Sequence, residues 1–203
     1  MKVLGLTGGI ATGKSVILEE IARRGYPVYQ ADVRAKALME TDGAIQQALR
    51  DLLGAEAYLA SGQLNRAYIA QRLFAEPDLR AKVNTIVHPR TLADFQGWVA
   101  ARRAEGYPAA FKEAALTIEA GAWQGLDGLI VVQAPWPLRL HRLMQRDGLS
   151  REAALARLVA QMPDWHKLHY ADFVCINTGH VPIPEIVDEL LLSFGLPLSL
   201  QRA

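Results

Sequence analysis

A glycine-rich stretch near the N-terminus, GLTGGIATGKS at residues 5–15, constrains the fold more than any other part of the chain. The residues at the G-x4-G-K-[ST] spacing are Gly8, Gly13, Lys14 and Ser15. Glycines let the backbone curl so that successive N–H groups face phosphate oxygens, and a helix starting at Lys14 adds the positive end of its dipole. An apolar run at 3–7 precedes the motif and an amphipathic pattern at 14–24 follows it. Together they predict a P-loop for a nucleoside triphosphate, between a buried strand and a helix.

The P-loop pattern gives its polar side chains separate roles. We expect Lys14 to reach the β- and γ-phosphates as a point charge, which makes it a catalytic candidate as well. We expect the Ser15 hydroxyl to ligate Mg²⁺. The residues predicted to bind ATP through the loop and the helix start are Gly9, Ile10, Ala11, Thr12, Gly13, Lys14, Ser15 and Val16.

Length and composition narrow the class of protein. A chain of 203 residues is long enough for one sizeable core with a small subdomain. Its net charge of +1 does not indicate binding to nucleic acid or to a membrane surface. No apolar run is long enough to span a bilayer, and the N-terminal apolar run is too short and too glycine-rich for a signal peptide. Cys175, the only cysteine, lies in an apolar run and is expected to be buried. We therefore expect a reduced, cytoplasmic protein, and the oligomeric state stays open.

Strand and helix patterns alternate along the chain, which predicts parallel βαβ units and a sheet covered on both faces. The predicted strands are 3–7, 26–31, 109–116, 128–134 and 173–177. Further helices are predicted at 32–40, 137–146 and 184–194. Residues 44–105 have apolar residues at helical spacing and almost no strand signal. Turn signals at 60–65, at 76–78 and at His88-Pro89 divide them into three or four helices, so we predict an all-helical insertion.

Motifs of other P-loop classes are missing. The base-reading NKxD of GTPases is absent, and the clearest buried strand, 128–134, ends near Gln133 instead of an aspartate, which argues against a switch or a motor. The helical insertion and an arginine-rich segment from Arg142 to Arg157 favour a small-molecule kinase, with the insertion binding the acceptor and the basic segment closing over ATP as a lid. Arg142 and Arg146 are the candidates for ATP phosphates, because a guanidinium pairs with two oxygens at once.

A kinase that phosphorylates a hydroxyl needs a base or an orienting carboxylate near the transferred group. Asp32 follows the second predicted strand, and the carboxyl ends of parallel strands line the ligand crevice. The alternative for Asp32 is the N-cap of the helix at 33–40, and one carboxylate can serve both purposes.

Seven stretches in the same order resemble the dephospho-coenzyme A kinase family, over about residues 3–192. They are GLTGGIATGKS, QADVRAKAL, GQLNRAYIAQRLF, IVHP, LTIEAG, RLMQRDGLSREAALARLVAQ and YADFVCINTG. The resemblance implies an α/β fold of P-loop NTPase type, a three-layer sandwich with a five-stranded parallel sheet, a helical substrate-binding insertion and a helical lid. Within one kinase domain, 1–203, the expected nucleotide-binding core is about 1–32, 108–140 and 171–195, the insertion about 33–107 and the lid about 141–170.

The resemblance also implies an activity, the use of ATP and Mg²⁺ to phosphorylate the ribose 3′-hydroxyl of dephospho-coenzyme A, with Asp32 at the position of the base. Arg66 and His88 are expected to help bind the acceptor. Their alternatives are a surface ion pair and a helix-terminating His-Pro turn. Glu113 is expected to end the third strand, where it could hold a Mg²⁺-bound water or form a sheet-edge ion pair. Glu119 is a further candidate for binding the substrate.

Asn177, after the last strand, is expected to face the adenine, with a turn residue before Gly179 as the alternative. The chain also departs from the family pattern. Ala11 replaces the usual third glycine and Thr12 the usual serine, both at variable positions of the P-loop, so we expect binding to persist. Gln30 replaces the first acid of the family's Asp-Ala-Asp segment, which leaves the second acid more isolated.

Rival interpretations are weaker. A different metabolite kinase would not need the helical insertion or the His-Pro turn, and a module that only holds ATP would lack the base or the lid arginines. His166 and His169 are three residues apart, but no third metal ligand accompanies them.

Overall fold

Five parallel strands form the sheet that carries the P-loop, in a computed structural model that describes residues 1–76 and 78–200. The strands are β1 (Lys2–Gly8), β2 (Val28–Gln30), β3 (Ala109–Glu113), β4 (Gly128–Gln133) and β5 (Phe173–Ile176). Their order across the sheet is β2-β3-β1-β4-β5, so the P-loop strand is central. In the register of the sheet, Leu4 lies opposite Phe111 of β3 and Gly128 of β4. The five predicted strands are confirmed, with β2 and β3 shorter than their apolar runs.

Helices occupy most of the remaining described chain. They are α1 (Lys14–Arg23), α2 (Ala31–Thr41), α3 (Gly43–Leu53), α4 (Arg66–Ala75), α5 (Asp78–Ala104), α6 (Trp136–Asp147), α7 (Arg151–Val159), α8 (Asp164–Leu168) and α9 (Ile183–Ser193). The chain divides into two compact units. The sheet unit combines Met1–Gln30 with the chain from Ala101 onward, and the helical unit is Ala31–Ala100.

Strand β4 shows that the sheet is covered on both faces. Ile130 and Val132 pack into the apolar cluster that also holds buried residues of α1 and α9, such as Ile17. The alternate residues Leu129 and Val131 pack into a second cluster, which holds side chains from the segments that precede β4 and β5. Successive strand side chains point to opposite faces, so these two clusters lie on opposite sides of the sheet. The predicted three-layer arrangement is confirmed, and double-sided burial explains the unbroken apolar run.

The helical unit has a core of its own, built where apolar residues repeat at helical spacing. Its buried residues are Ile45, Leu49 and Leu53 of α3, Ile69 of α4, Leu79, Val83 and Val87 of α5, together with Ala57 and Tyr58. Asp42 caps α3 by accepting the N–H of Ala44 and Ile45, and Asn65 caps α4 by accepting the N–H of Tyr68. The predicted turn at 60–65 is confirmed, with an isolated antiparallel bridge between Tyr58 and Leu64, so the insertion is not entirely helical.

The predicted turn at His88-Pro89 is wrong, because α5 runs through both residues as one helix of 27 residues. A proline inside a helix removes one amide donor, and here the buried stripe of Val83 and Val87 continues the helical spacing up to that point. The earlier boundary agrees with the structure, since α4 ends at Ala75 and α5 begins at Asp78. Pro77, between them, lies outside the described residues, as do residues 201–203.

Strand β2 is short and passes directly into helix α2. The strand ends at Gln30 and the helix begins at Ala31, so Asp32 lies in the first helical turn and is exposed. The N-cap alternative for Asp32 is therefore wrong, because a cap residue precedes the first helical residue. An acidic side chain in the first turn still interacts favourably with the helix dipole.

Candidate active site

Two glycines of the P-loop are required by close packing. Gly13 precedes α1 with φ 94°, and a Cβ there would lie 2.2 Å from Nδ2 of Asn177. A Cβ at Gly8, where φ is 152°, would lie 2.3 Å from the carbonyl oxygen of Val132. Neither position accepts a side chain, so the loop fits tightly against β4 and against the residue that follows β5.

Side chains from distant parts of the chain bind carbonyl oxygens of the P-loop. The Arg142 guanidinium donates to the carbonyls of Ala11 and Thr12 at 3.4 and 3.3 Å, and Nδ2 of Asn177 donates to that of Thr12 at 3.0 Å. A second Arg142 nitrogen donates to Oδ1 of Asn177 at 3.2 Å. The C=O and N–H of a trans peptide point in opposite directions, so the N–H groups of Thr12 and Gly13 face away from these side chains. That orientation makes them available to an anion.

Lys14 and Ser15 are the first two residues of helix α1, and both lie beside the P-loop. The Lys14 ammonium donates to the carbonyls of Gly8 and Gly9 at 2.9 and 3.0 Å, which keeps the charge beside the loop. Ser15 lies in the first turn of the same helix and lines an open cleft beside the P-loop.

A cleft of about 980 Å³ opens beside the P-loop within the sheet unit. Predicted site residues that line it are Ala11, Gly13, Lys14, Ser15, Val16, Glu113, Arg142, Arg146 and Asn177. The volume is at the upper end of the range for small-molecule sites, roughly 300–1,000 Å³. Glu113 ends β3 as predicted, and Gln30, the partner of Glu113 in the sheet register, lines the cleft as well. An acid at position 30 would stand directly beside Glu113, and like charges at such a pair are unfavourable.

Three predicted ATP-binding residues do not line this cleft, namely Gly9, Ile10 and Thr12. Thr12 is buried, and its hydroxyl donates to the carbonyl of Gly9 at 3.0 Å, which closes the loop on itself. Threonine therefore fills a structural position, and any contact of Thr12 with a nucleotide would use its backbone.

Arg146 and Asn177 have partners that the sequence did not indicate. Nε of Arg146 donates to Asp147 at 2.7 Å, and Asp147 also pairs with Arg157 at 2.8 Å. The hydrogen bond from Arg146 lowers the pKa of Asp147 and raises the pKa of Arg146. Asn177 is buried, with its amide bonded to the P-loop and to Arg142. Its predicted contact with adenine stays a prediction, whereas a role as a mere turn residue does not account for these bonds.

The helical unit holds three of the four remaining predicted residues. Asp32 is exposed in the first turn of α2, and His88 is exposed in the middle of α5. Arg66 begins α4 and forms a 3.4 Å ion pair with Glu40 in which its own side chain is 66% exposed. A pair this exposed contributes little stability, so it does not hold Arg66 away from other partners.

Glu119 accepts a hydrogen bond from the ammonium of Lys167 at 2.8 Å. Lys167 is 1% exposed, and such a buried ammonium needs an anionic partner. Glu119 does not line the described cleft. Substrate binding by Glu119 stays a prediction, beside the structural role that this ion pair defines.

Arg139, Gln161 and Asp164 contact the loop region and were missed from the sequence. Nε of Arg139 donates to the carbonyl of Ile10 at 2.9 Å, and its guanidinium pairs with Asp164. Burial lowers the pKa of Arg139, and the Asp164 carboxylate opposes that shift. Oε1 of Gln161 accepts the N–H of Ile10 at 2.6 Å. One sequence signal could have pointed to Arg139: it precedes Arg142 by three residues on one helix, so the two side chains share a helix face.

The polar groups of the cleft fit Mg²⁺, although the described part of the chain has no cluster of dedicated metal ligands. Across residues 1–76 and 78–200, no group of three or more His, Cys, Asp or Glu side chains could hold a metal ion. His166 instead stacks on Tyr170, with ring centroids 6.0 Å apart. Mg²⁺ bound with a nucleotide takes one or two protein oxygens, waters and phosphate oxygens, so a metal in this cleft would need no protein contacts beyond those that Ser15 and Glu113 could offer. None of the described helices is both long and apolar enough to cross a membrane.

The fold and the cleft define a P-loop nucleotide-binding protein of the α/β class. A family model for dephospho-CoA kinase matches residues 2–182, and the chain belongs to that family. The dephospho-CoA kinase of Anaeromyxobacter dehalogenans is 40% identical over 179 residues, which cover 88% of this chain and 85% of that protein. The crystal structure of TT1252 from Thermus thermophilus has a TM-score of 0.78 at 32% identity and 95% coverage of both chains. Dephospho-CoA kinase from Campylobacter jejuni has a TM-score of 0.63 at 26% identity and 96% coverage of both.

Proposed function

We propose that the protein transfers the γ-phosphoryl group of ATP to the ribose 3′-hydroxyl of dephospho-coenzyme A, giving coenzyme A and ADP. The observation that carries the proposal is the P-loop cleft, with Lys14 and Arg142 on its wall, in a chain of this family. The names of the relatives and the seven resembling stretches support the choice of acceptor. We also propose that the enzyme works in the cytoplasm, in keeping with its single, buried cysteine.

Binding and stabilisation of the phosphates fall to the cationic wall of the cleft. The ammonium of Lys14 lies against the P-loop, where a β- or γ-phosphate oxygen would meet it together with the backbone N–H groups. Arg142 adds a guanidinium fixed by its contacts with two loop carbonyls and Asn177, so little reorganisation is needed as charge builds up during transfer. Arg146 would join them by exchanging its pair with Asp147 for a phosphate.

Ser15 would hold Mg²⁺ through its hydroxyl, and Glu113 would hold a water of the metal's shell. When bound, Mg²⁺ neutralises charge on the β- and γ-phosphates. Both residues line the cleft beside Lys14, so one nucleotide could contact all three.

The helical unit supplies the groups for the acceptor. Asp32 would accept the proton of the 3′-hydroxyl as that oxygen bonds to the γ-phosphorus, while the bond to the β-γ bridging oxygen breaks and ADP leaves. Arg66 and His88 would bind the acceptor, with Glu119 of the sheet unit as a further contact. These roles rest on the positions that match the family's motifs.

The acceptor is tested by measuring ADP release with ATP and one of four candidates: dephospho-coenzyme A, AMP, shikimate or gluconate. We expect turnover with the first alone. Release that is equally slow with all four would refute the kinase assignment, and preference for another acceptor would refute the substrate.

The base is tested with Asp32→Asn and the matched control Asp78→Asn. Both aspartates are exposed and lie in the first turn of a helix of the same unit, so loss of the helix-dipole interaction is common to both variants. We expect Asp32→Asn to lower kcat by at least about a hundredfold with ATP affinity retained, in line with general-base effects. A loss of ATP affinity with kcat preserved would mean that Asp32 contacts the metal or supports the fold.

A further inference from the structure

We propose that Arg139, Gln161 and Asp164 form a clamp that holds the tip of the P-loop at Ile10 in its phosphate-binding shape, and that they are positioning residues for the nucleotide. The proposal deepens the phosphoryl-transfer function proposed above and rests on it for its catalytic readout. None of the three belongs to the P-loop pattern, and none lines the cleft.

Both backbone groups of Ile10 are bound by side chains of the clamp. The N–H donates to Gln161 at 2.6 Å and the C=O accepts from Arg139 at 2.9 Å. Ile10 lies between β1 and α1, where it has no ladder or helix partner, so these two contacts satisfy backbone groups that would otherwise depend on water. Asp164, at the start of α8, accepts a hydrogen bond from Nη1 of Arg139, a different nitrogen from the one that donates to Ile10.

The clamp is built into the interior of the sheet unit. Arg139 is 2% exposed, and a desolvated guanidinium is tolerated only when it is paired and hydrogen-bonded. A Cβ on Gly9 would lie 2.3 Å from Nη2 of Arg139 and 2.8 Å from its Cζ. The guanidinium therefore packs directly against the backbone of Gly9. This packing favours glycine at position 9 independently of any phosphate contact.

The clamp also opposes the strain of the next residue. Ala11 has φ 61°, and within residues 1–76 and 78–200 it is the only non-glycine residue with positive φ. An alanine in this region is disfavoured relative to glycine, and such a conformation persists only where surrounding contacts hold it. Because the carbonyl of Ile10 points at Arg139, the N–H of Ala11 points the opposite way, which fixes one of the donors of the loop.

The test compares ATP binding and kinetics of Gln161→Ala, Arg139→Lys and Arg139→Ala with those of Val187→Ala. Val187 is fully buried in α9 within the core cluster of α1 and α9, so its truncation destabilises the same unit without touching the loop. We expect Gln161→Ala to weaken ATP binding by at least about fivefold, because one hydrogen bond of ordinary strength is lost. Arg139→Lys should keep more affinity than Arg139→Ala, since a lysine replaces one of the two contacts.

Two further readouts separate positioning from general destabilisation. The KM for dephospho-coenzyme A at saturating ATP should stay within about twofold of wild type in Gln161→Ala. The double variant of Arg139 and Gln161 should bind ATP as well as the single variant that has the lower ATP affinity, because both contacts hold the same residue and act as a unit. If Gln161→Ala binds ATP within about twofold of Val187→Ala, or if the two losses add fully, the clamp is refuted.

Calorimetric titration with ATP does not require the acceptor. If the wild-type protein binds ATP but fails to phosphorylate dephospho-coenzyme A, the proposed function fails while the clamp is still judged by the ratio of affinities. Should Arg139→Ala not fold, Gln161→Ala alone decides the test, since it removes an acceptor from a half-buried residue and leaves no buried charge unpaired.

Discussion

Replacing Asn177 with alanine should destabilise the sheet unit by an amount that follows from its two hydrogen bonds. The amide donates to the carbonyl of Thr12 and accepts from the guanidinium of Arg142 at a site that is 2% exposed. A neutral hydrogen bond is worth about 1 kcal/mol net, and one to a charged group about 1.5–3 kcal/mol. The expected loss in the free energy of unfolding is therefore about 3 kcal/mol.

Urea unfolding followed by tryptophan fluorescence measures this loss. With a slope of about 2.5 kcal/mol per molar urea, the midpoint should fall by about 1.2 M at unchanged slope. Asn84→Ala is the matched control, because Asn84 is an exposed asparagine in α5 and its truncation should stay within about 0.5 kcal/mol of wild type.

A double-mutant cycle with Arg142→Ala then isolates the pair. The coupling free energy between Asn177 and Arg142 should be about 2 kcal/mol, within the range for a hydrogen bond with one charged partner. If Asn177→Ala unfolds at the same urea concentration as Asn84→Ala, or the cycle shows no coupling, the bonds around the P-loop do not stabilise it as argued.

Three further outcomes follow from buried groups of the sheet unit. Burial raises the pKa of the Cys175 thiol to about 12, so a disulfide reagent at pH 8 should label it only as fast as the protein unfolds; immediate labelling of native protein would contradict this. Burial also raises the pKa of Tyr26 to about 12, and its hydroxyl donates to Pro197 at 2.6 Å. The neutral phenol is favoured by folding, so this stability is complete below about pH 10 and is lost between about pH 10 and 12. The urea midpoint of wild type should fall relative to that of Tyr26→Phe over that window, and parallel pH profiles would exclude the effect. A Cβ at Gly128 would lie 2.7 Å from the ring of Phe194, so Gly128→Ala should lower the free energy of unfolding by about 1–3 kcal/mol, whereas an unchanged thermal midpoint would show that the ring moves freely.

The strands could be predicted because burial on both faces leaves an unbroken apolar run. The predicted strand at 128–134 agrees with β4, Gly128–Gln133, to within one residue. Helix α5 was divided wrongly because Pro89 reads locally as a stop, whereas the core of the helical unit holds the chain helical on its N-terminal side. Local propensity could not show that packing would override it.

The P-loop itself could be predicted because its glycines, Lys14 and Ser15 are adjacent in the sequence. The contacts of Arg139 and Gln161 with Ile10 could not, because they span 129 and 151 residues of chain. The spacing of Arg139 and Arg142 indicated a shared helix face, but it did not indicate what that face contacts. The sequence also predicted that Asn177 follows the last strand, but it did not indicate that Asn177 bonds to Thr12 and Arg142. Contacts between residues so far apart are set by the topology of the sheet.

The position of β1 at the centre of the sheet has a consequence for synthesis. β1 is made before its neighbours β3 and β4, which begin at Ala109 and Gly128, and α1 packs on α9, which begins at Ile183. At about 5–20 residues per second, β4 follows β1 by roughly 6–25 s. By the time β4 has been made, all residues of the core of the helical unit, which ends at Val87, are already present. We therefore expect the phosphate-binding loop to leave the ribosome well before the strands that flank β1 and to take its shape only after they have been made.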